Sequence, residues 1–369
     1  MWSRIRALIA KEFLAVWKDK KSRAVIIGPP LIQLLVFGYA ATFDVNHVAT
    51  AIYNEDPGVA ARDLVARFEG SPTFLTVGRI TRESEIAQVI DPRRASLVVH
   101  IGPTFSRDLR ARQPAKVQLI VDGRESNTAL IILGYASRIV AAFNRDWARA
   151  YGAALPPASL VVRAWFNPNL ESRWFIIPGI VALLTMVVTT VVTGLSVARE
   201  REVGTFDQLL VTPLRPVEIL IGKSIPAMII GLAEGTVIIV VGVLWFDVPL
   251  RGQIPLLYAG LFLYLLAVIG VGLMISSIAR TQQQAILGAF LFIVPAVILS
   301  GFATPIANMP AVIQDLTLIN PMRYFLVIVR GTFLEGMPAG LIIAQLWPMA
   351  AIALATLASA DWLFRHRLG

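Results

Sequence analysis

The sequence predicts a polytopic α-helical membrane protein with six transmembrane helices and a large α/β external domain between the first and second helices. Three observations lead to this prediction. Hydrophobic residues make up 56% of the 369 residues and charged residues only 15%, whereas a soluble domain carries about 25% charge. Apolar runs long enough to cross a bilayer occur six times. One of these runs is separated from the other five by a segment of ordinary soluble composition, residues 44–173.

A transmembrane helix needs about 20 mostly apolar residues in succession. The predicted spans are residues 24–43, 174–197, 225–246, 254–278, 285–302 and about 340–364. A cleaved signal peptide in place of the first span is disfavoured, because its apolar run exceeds the usual length of such a core. The resulting domain boundaries are 1–23, 24–43, 44–173 and 174–369.

The segment 303–339 is too broken by proline for a single span and too apolar for a free loop. Two short helices are predicted around Asn320-Pro321, at residues 313–319 and 324–333. Irregular backbone at membrane depth is tolerated only where protein covers it. We therefore expect a re-entrant outer segment here.

Lysine and arginine near the span ends predict the orientation. Fourteen of them lie on the side of the two termini, and three lie in the short loops opposite, at Arg251, Arg323 and Arg330. Both termini are therefore expected in the cytoplasm and residues 44–173 outside. The net charge of +9 is read as this orientation signal rather than as a nucleic-acid surface, so no nucleic-acid partner is expected.

The segment 44–173 alternates predicted strands and helices, which is typical of an α/β layer domain. Strands are predicted at 47–53, 73–80, 96–101, 116–121 and 160–166, and helices at 58–68, 83–89, 105–111 and 127–151. Asp122 with Glu125, or His100 as a base, are candidate chemical groups. Turn and cap roles are favoured for them, because no catalytic triad or metal-ligand cluster stands out. The chain has no cysteine and three dispersed histidines, which argues against thiol chemistry and metal sites.

Residues 1–23 begin with an amphipathic pattern in which apolar residues recur at steps of three and four, with lysine and arginine between them. The apolar positions are Trp2, Ile5, Leu8, Ile9, Phe13, Val16 and Trp17. Such a helix is suited to the inner membrane interface, and bracing a cytoplasmic partner is a second role left open.

The cytoplasmic loop 198–224 has the most distinctive sequence. A charged run of Arg199, Glu200, Arg201 and Glu202 is followed by Val203, Gly204 and Thr205. Thr205 is suited to cap a short helix with Asp207 in its first turn. Phe206, Leu209 and Leu210 form its apolar face, and Pro213 ends it. An exposed apolar face of this kind needs a covering surface, either the bilayer or a partner's groove.

Gly222-Lys223-Ser224 is similar to the end of a phosphate-binding loop. The motif also needs a glycine five positions before its second glycine, and Val217 stands there. The segment also enters a span instead of following a strand. We therefore expect no nucleotide site, no bound cofactor and no enzymatic activity in this chain.

The segment from Arg199 to Leu214, with its Arg-Glu repeat, Gly-Thr pair and terminal proline, resembles the signature of ABC-2 type transporter permeases. The order of an interfacial helix, one span, an external domain and five spans is similar to the drug-export branch of that family. The stretch Ser126-Asn127-Thr128-Ala129 after Asp122-Gly123 is similar to the external domain of that branch.

The resemblance implies a bacterial inner-membrane exporter subunit that works with a separate ATPase, which binds ATP and Mg. The loop corresponding to Gly204–Leu214 would be a coupling helix that docks on this ATPase, with Arg199, Glu200, Arg201 and Glu202 flanking the dock and pairing with its charges. A second permease copy or a paralogue, membrane lipid and a periplasmic adaptor are the further partners to consider. Drug-like or lipid-like amphiphiles are the expected cargo.

Three polar residues inside predicted spans are candidate substrate or gating groups: Glu234, Thr189 and Thr193. A charge at that depth is expensive and marks a functional hypothesis. Protonation, or a hydrogen bond at the helix contact formed by Gly231 and Gly235, is the alternative for Glu234. Threonine also bonds its own helix backbone.

Two other functions stay open at this point. The first is a secondary transporter driven by an ion gradient, with Glu234 carrying the proton. The second is a membrane-anchored scaffold or sensor whose external domain binds a ligand.

Overall fold

The computed structural model describes residues 2–18, 20–40, 47–124, 126–152, 166–167, 171–205 and 215–366. The chain divides into two compact units. One comprises Met1–Thr42 with Ala164–Gly369, and the other is Phe43–Arg163. Each unit is described by itself below.

Thirteen α-helices lie in the described part of the chain. They are α1 (Trp2–Lys18), α2 (Lys20–Ala40), α3 (Val59–Glu69), α4 (Glu85–Ile90), α5 (Phe105–Arg110), α6 (Ser126–Tyr151), α7 (Ser172–Val203), α8 (Pro216–Leu244), α9 (Ile254–Ile278), α10 (Gln282–Ile298), α11 (Ala311–Leu316), α12 (Pro321–Arg330) and α13 (Ala339–His366). The strands are β1 (Val48–Asn54), β2 (Phe74–Ile80), β3 (Leu97–Ile101) and β4 (Val117–Val121). Short 3₁₀ turns at Ile306–Asn308 and Thr317–Ile319 and a π-helical turn at Gly331–Glu335 complete the outline.

The smaller unit contains one four-stranded sheet in the order β2-β1-β3-β4. The strand β1 pairs in parallel with β2 and β3, whereas β3 and β4 are antiparallel. Four predicted strands and all four predicted helices of this segment are confirmed, with bounds that agree within two residues. Of the fifth predicted strand, residues 160–165 lie outside the described residues.

Alternating side chains of the strands divide the core of the smaller unit into two layers, as the two-residue period of a strand requires. Leu97, Val99 and Ile101 of β3 pack with α3, α5 and α6 on one face. Val98 packs with α4 on the other face, beside Tyr53 of β1. The sheet is therefore covered by helices on both faces, as the α/β pattern predicts.

Four helices in the described part of the larger unit are long and apolar enough to cross a membrane: α7, α8, α9 and α13. A fifth span is reached if the bent pair Ala311–Ile319 and Pro321–Glu335 is counted as one. The sequence predicts six, and the difference arises at α2 and α10. The helix α10 has 17 residues and measures about 26 Å, less than the ~30 Å of a hydrocarbon core. The helix α2 begins with charged residues and contains Pro29 and Pro30.

The segment 303–339 forms the short helices predicted around Asn320-Pro321, and the two parts of the pair meet at 84°. Asn320 makes this corner. Its Oδ1 accepts a hydrogen bond from the backbone N–H of Met322 at 3.0 Å, which caps α12, and its Nδ2 donates to the carbonyl of Ala296 in α10 at 2.7 Å. One buried amide thus both starts a helix and ties it to its neighbour.

Glycines let the helices of the larger unit approach closely. A Cβ atom added at Gly272 of α9 would lie 1.8 Å from Thr193 Oγ1 of α7, and one added at Gly270 would lie 2.4 Å from Thr356 Oγ1 of α13. Tyr264 of α9 is fully buried and donates a hydrogen bond to the carbonyl of Ala182 in α7 at 2.9 Å. The helix α9 is therefore the centre of this unit, held between α7 and α13.

Candidate coupling site

Four charged side chains meet where α1, the end of α7 and the start of α8 come together. Lys223 of α8 lies with Nζ 2.9 Å from Glu200 Oε2 of α7 and 3.1 Å from Glu12 Oε1 of α1. Its side chain has no exposed surface. Nζ also donates to the carbonyl of Ser196 at 3.3 Å. The ammonium is therefore fully enclosed by oxygen ligands from two other helices.

Lys11 of α1 completes this set, which we call the charge cluster: Lys11, Glu12, Glu200 and Lys223. Lys11 Nζ lies 2.5 Å from Glu200 Oε1. Glu200 thus binds one lysine through each carboxylate oxygen. The cluster is neutral because two cations face two anions, and a buried set of charges is stable only when it is paired in this way.

The apolar face of α1 packs on α8 beside the charge cluster. Ile5 and Leu8 are buried, at 2% and 5% exposure. A Cβ atom added at Gly222 would lie 2.3 Å from Leu8 Cδ2, so glycine at this position makes room for α1. The sequence predicts an interfacial helix here. In the structure, part of its apolar stripe contacts protein.

The Arg-Glu repeat, whose charges the sequence analysis assigned to a partner, also has contacts within the chain. Glu200 belongs to the charge cluster. Arg201 donates to the carbonyls of Ser277 at 2.7 Å and Ala279 at 3.3 Å, at the end of α9. Glu202 accepts from the backbone N–H of Gln282 at 2.7 Å, at the start of α10. These side chains therefore satisfy helix ends within the chain. Arg199 is half-buried beside them.

Gly204 ends α7 in the left-handed conformation, with φ of +78°. The N–H of Gly204 bonds to the carbonyl of Arg201, and the N–H of Thr205 bonds to the carbonyl of Glu200 at 2.9 Å, the pattern of a Schellman cap. The hydroxyl of Thr205 also donates to the carbonyl of Glu200, at 3.4 Å. The sequence predicts Thr205 as the cap of a following helix, but its described contacts belong to the end of α7.

The apolar part of the predicted coupling helix, Phe206, Asp207, Leu209, Leu210 and Pro213, lies outside the described residues. The chain resumes at Arg215, which precedes the first residue of α8. Its backbone N–H donates to Glu218 Oε2 at 2.9 Å, so the side chain of the third helical residue closes the first turn. Residues 206–214 are thus flanked by a capped helix end and a capped helix start.

Sequence reasoning missed Lys11, Glu12 and Lys223 as members of a site. One signal was present for Glu12, which lies four residues after Leu8 and seven after Ile5. It is an acidic residue on the apolar stripe of an otherwise basic helix, and such a residue needs a buried cation. Lys223 was considered only as part of a phosphate loop.

Glu234 lies in the middle of α8 and is half-buried. Neither carboxylate oxygen has a hydrogen-bond partner among the described residues. The neighbouring Gly231 and Gly235 face other helices, since Cβ atoms added there would lie 2.7 Å from Thr189 Oγ1 and 2.8 Å from Leu261 Cδ2. The glycines thus bring the helices together, as predicted, without supplying a partner for the carboxylate.

Thr189 and Thr193 of α7 are both fully buried. The hydroxyl of Thr193 donates to the carbonyl of Thr189 at 2.7 Å and packs against Gly272, while Thr189 packs against Gly231. Both side chains fill helix contacts inside the unit. This geometry favours helix packing over the lining of a pathway.

In the smaller unit, His100 is the centre of a polar group on the sheet. One ring nitrogen lies 2.8 Å from Glu55 Oε2 and the other lies 3.1 Å from Gln118 Oε1, and Tyr53 stacks on the ring with centroids 4.4 Å apart. Burial lowers the pKa of His100, but the hydrogen bonds to Glu55 and Gln118 outweigh it and hold the pKa above its ordinary value. The hydrogen bond from His100, with one from Tyr53, lowers the pKa of Glu55.

Asp122 has the turn role predicted for it. Hydrogen bonds from the side chain and backbone of Arg124 lower its pKa to about 2. Arg124 also donates to the carbonyls of Ile90 at 2.7 Å and Asp91 at 3.1 Å. Glu125, its proposed partner, lies outside the described residues. Asp122 therefore anchors a turn on the end of α4.

Residues 20–360 match the protein family described as "ABC-2 family transporter protein". This range includes the smaller unit, most of the larger unit and two of the four residues of the charge cluster, Glu200 and Lys223. The chain belongs to the ABC-2 transporter family. It is therefore a membrane-embedded ABC-2 permease, and the resemblance inferred from the Arg-Glu repeat is confirmed.

Three relatives from Escherichia coli support this assignment over the whole chain. The "Probable multidrug ABC transporter permease YbhR" is 40% identical over 369 residues and covers 100% of both chains. The "Probable multidrug ABC transporter permease YbhS" is 36% identical, covering 95% of this chain and 94% of its own. The "Inner membrane transport permease YhhJ" is 30% identical, covering 95% and 96%. These proteins are permeases, which is consistent with a chain that is not itself an enzyme.

One eukaryotic relative matches this chain over only about half of its own length. The "ABC transporter G family member 20" of Dictyostelium discoideum is 26% identical over 362 residues, which are 95% of this chain but 48% of that protein.

Proposed function

We propose that this ABC-2 permease is the membrane subunit of an exporter that uses ATP hydrolysed by a separate subunit to move amphiphilic, drug-like or lipid-like molecules outward. One observation carries the proposal. The charge cluster joins α1, the end of α7 and the start of α8 on both sides of residues 206–214, the segment whose sequence resembles a coupling helix. The names of the bacterial relatives support the drug-like cargo.

The coupling step follows from this arrangement. The ATPase would bind residues 206–214 and displace them when it closes on ATP. Because α7 ends in a tight cap and α8 begins in another, little of the displacement is absorbed at the helix ends. Lys223 and Glu200 tie the two helices to each other, and Glu12 adds α1. The three helices would therefore move as one body and change the access of the pathway.

Most of the docking energy should come from Phe206, Leu209 and Leu210. Glu200, Arg201 and Glu202 already have partners within the chain, so they are poorly available to a second protein. Exposed ion pairs also contribute only about 0–1 kcal/mol each. An apolar helix face in a groove is the remaining source of affinity.

The proposed topology has six spans, both termini in the cytoplasm of a bacterial inner membrane, and residues 44–173 outside. Lysine and arginine placement supports it. Two permease subunits, identical or related, would work with two ATPase subunits. A periplasmic adaptor is a further proposed partner, which would meet residues 44–173.

Glu234 is the proposed contact for a positively charged group on the cargo. Its carboxylate has no hydrogen-bond partner in the described part of the chain, and an amphiphilic cation would supply one at a depth where unpaired charge is expensive. Under this proposal Thr189 and Thr193 have a packing role, and Glu234 alone remains as a substrate group.

The deciding experiment uses the full chain with the ATPase that co-purifies with it, reconstituted in proteoliposomes. Phe206→Glu combined with Leu209→Glu should abolish ATPase association and cargo-stimulated ATP turnover. Val203→Glu is a matched control, because Val203 is exposed at the end of α7 and gains the same charge outside the apolar face. Association and turnover at the wild-type level in the double variant would refute coupling through this segment.

Flux measurements in the same vesicles distinguish export from the two other functions. An ion-gradient transporter would move a cationic dye in vesicles that contain no ATPase, and Glu234→Gln would stop it. A scaffold or sensor would move no dye under either condition. Export requires flux that depends on both ATP and the ATPase subunit.

A further inference from the structure

Arg330 is a partly buried charged residue of the larger unit, separate from the charge cluster, and it lies at the end of α12. Its guanidinium lies over the ring of Phe175 in α7, with Cζ 3.9 Å from the ring centroid. Nη1 lies 3.5 Å from the carbonyl of Gly301, at the outer limit of a hydrogen bond. The aromatic face and this carbonyl hold the plane of the guanidinium in one orientation.

The opposite edge of the same guanidinium is unsatisfied. Nε and Nη2 are both shielded from solvent and have no hydrogen-bond partner in the part of the chain that the structure describes. These two nitrogens present parallel N–H groups on one edge, the edge that binds a carboxylate or a phosphate with two hydrogen bonds. Among the described residues no acidic side chain forms an ion pair with Arg330. The two N–H groups form a fork that is thus oriented to bind an oxyanion, and no described residue of the chain occupies that position.

Arg323 provides an internal comparison, because it lies on α12 two turns before Arg330. It donates through Nη1 to the carbonyl of Gln314 at 3.3 Å and to the hydroxyl of Thr317. Arg323 therefore has acceptors inside the chain, whereas the Nε–Nη2 edge of Arg330 has none among the described residues. A shielded charge without acceptors is costly, so a ligand that supplies two oxygens stabilises it.

We propose that Arg330, stacked on Phe175, forms an oxyanion site that binds one phosphate or carboxylate group with two hydrogen bonds. The group belongs to a phospholipid headgroup or to a soluble anion, and both present the same pair of oxygens. Phe175 fixes the plane of the fork, and Arg330 supplies the charge. This site goes beyond the coupling proposal, because binding here requires neither ATP nor the ATPase.

The test measures binding to the purified full chain in detergent with two probes. Native mass spectrometry measures dioleoylphosphatidylglycerol, and isothermal titration calorimetry measures inorganic phosphate. Arg330→Lys retains the charge but loses the fork, and we expect it to weaken binding of at least one probe about tenfold. Phe175→Leu should weaken the same probe. Arg323→Lys is the matched control and should leave both affinities unchanged.

The pattern of losses identifies the source of the anion. Weakened binding of phosphatidylglycerol alone assigns the site to a lipid headgroup, and weakened phosphate binding assigns it to a soluble oxyanion. The proposal is overturned if Arg330→Lys and Arg330→Gln both bind the two probes with wild-type affinity. It is also overturned if Arg323→Lys loses as much affinity as Arg330→Lys. Melting temperatures establish that each variant is folded, and if Arg330→Gln does not fold, Arg330→Lys and Phe175→Leu carry the test.

Discussion

The ammonium of Lys223 lies 2.9 Å from a carboxylate oxygen of Glu200, and no part of the lysine side chain is exposed. The two residues belong to different helices and lie on opposite sides of residues 206–214. Their contact therefore joins the end of α7 to the start of α8. Glu12 and Lys11 of α1 add one ion pair each to the same carboxylate–ammonium pair.

Replacing Lys223 by methionine should destabilise the larger unit by about 3–5 kcal/mol, because Glu12 and Glu200 would then keep their charges in a buried site without the buried cation they share, and only the half-exposed Lys11 would remain. The thermal melting of the purified chain in detergent would measure this loss. Lys11→Met is the matched control. The side chain of Lys11 is 51% exposed, so its removal should cost less than about 1 kcal/mol. Equal stability of the two variants would contradict the buried role of Lys223.

A cysteine pair should lock α1 onto α8. The chain has no cysteine of its own, and Leu8 Cβ lies 3.1 Å from the Cβ position of Gly222, close to the 3.5–4.5 Å of a disulfide. Leu8→Cys with Gly222→Cys should therefore cross-link on mild oxidation, measured by the mass of the linked peptides. Leu14→Cys with Gly222→Cys should not, since Leu14 is exposed. The reverse result would place α1 elsewhere.

Gly272→Ala should destabilise the helix contact between α9 and α7. The added methyl group would lie 1.8 Å from Thr193 Oγ1, and such overpacking costs about 1–3 kcal/mol. Gly340→Ala is the control, because nothing lies within 4 Å of a Cβ at Gly340 in α13. Melting temperatures of the two variants test this difference. If Thr193→Ala abolishes transport without lowering the melting temperature, a packing role for Thr193 is wrong.

The smaller unit should be more stable at about pH 5.5 than at about pH 8.5. The raised pKa of His100 means that folding favours its protonated form. That stabilisation is complete below the ordinary histidine pKa of 6.5 and is lost as pH rises through the raised value. The lowered pKa of Glu55 acts in the opposite sense, with stabilisation present above 4.5 and lost as pH falls through the lowered value.

Pulse proteolysis of the full chain during heating would follow this pH dependence at cleavage sites in Phe43–Arg163. His100→Gln should remove most of the difference between the two pH values. His47→Gln, which removes an exposed histidine of the same unit, should preserve it. A wild-type unit that melts at the same temperature at both values would contradict the role of the His100–Glu55 pair.

Much of the fold could be predicted because its signals are local. The short apolar run of β3 and the helical pattern of α6 are visible within single segments, and the structure confirms both elements. The number of spans was harder to predict. The helix α10 ends at Ile298, several residues before the apolar run does, because Ser300, Gly301 and Phe302 turn away from the helix.

Part of the candidate site could also be predicted from local sequence, and part could not. The Arg-Glu repeat and Gly204 were visible as a motif, and the left-handed φ of Gly204 explains why glycine stands there. The partners of the repeat were not visible. Glu200 pairs with residues 189 positions before it and 23 after it, and nothing in the local sequence indicates which carboxylate will meet which lysine.

The sequence by itself determined the membrane class, the order of the elements and the position of the Arg-Glu motif, since these depend on composition and on short-range periodicity. Only the tertiary structure decided that Lys11, Glu12, Glu200 and Lys223 form one neutral cluster and that the fork of Arg330 has no acceptor among the described residues. Whether a charge is paired depends on three-dimensional distance and on exclusion from water, and chain order specifies neither.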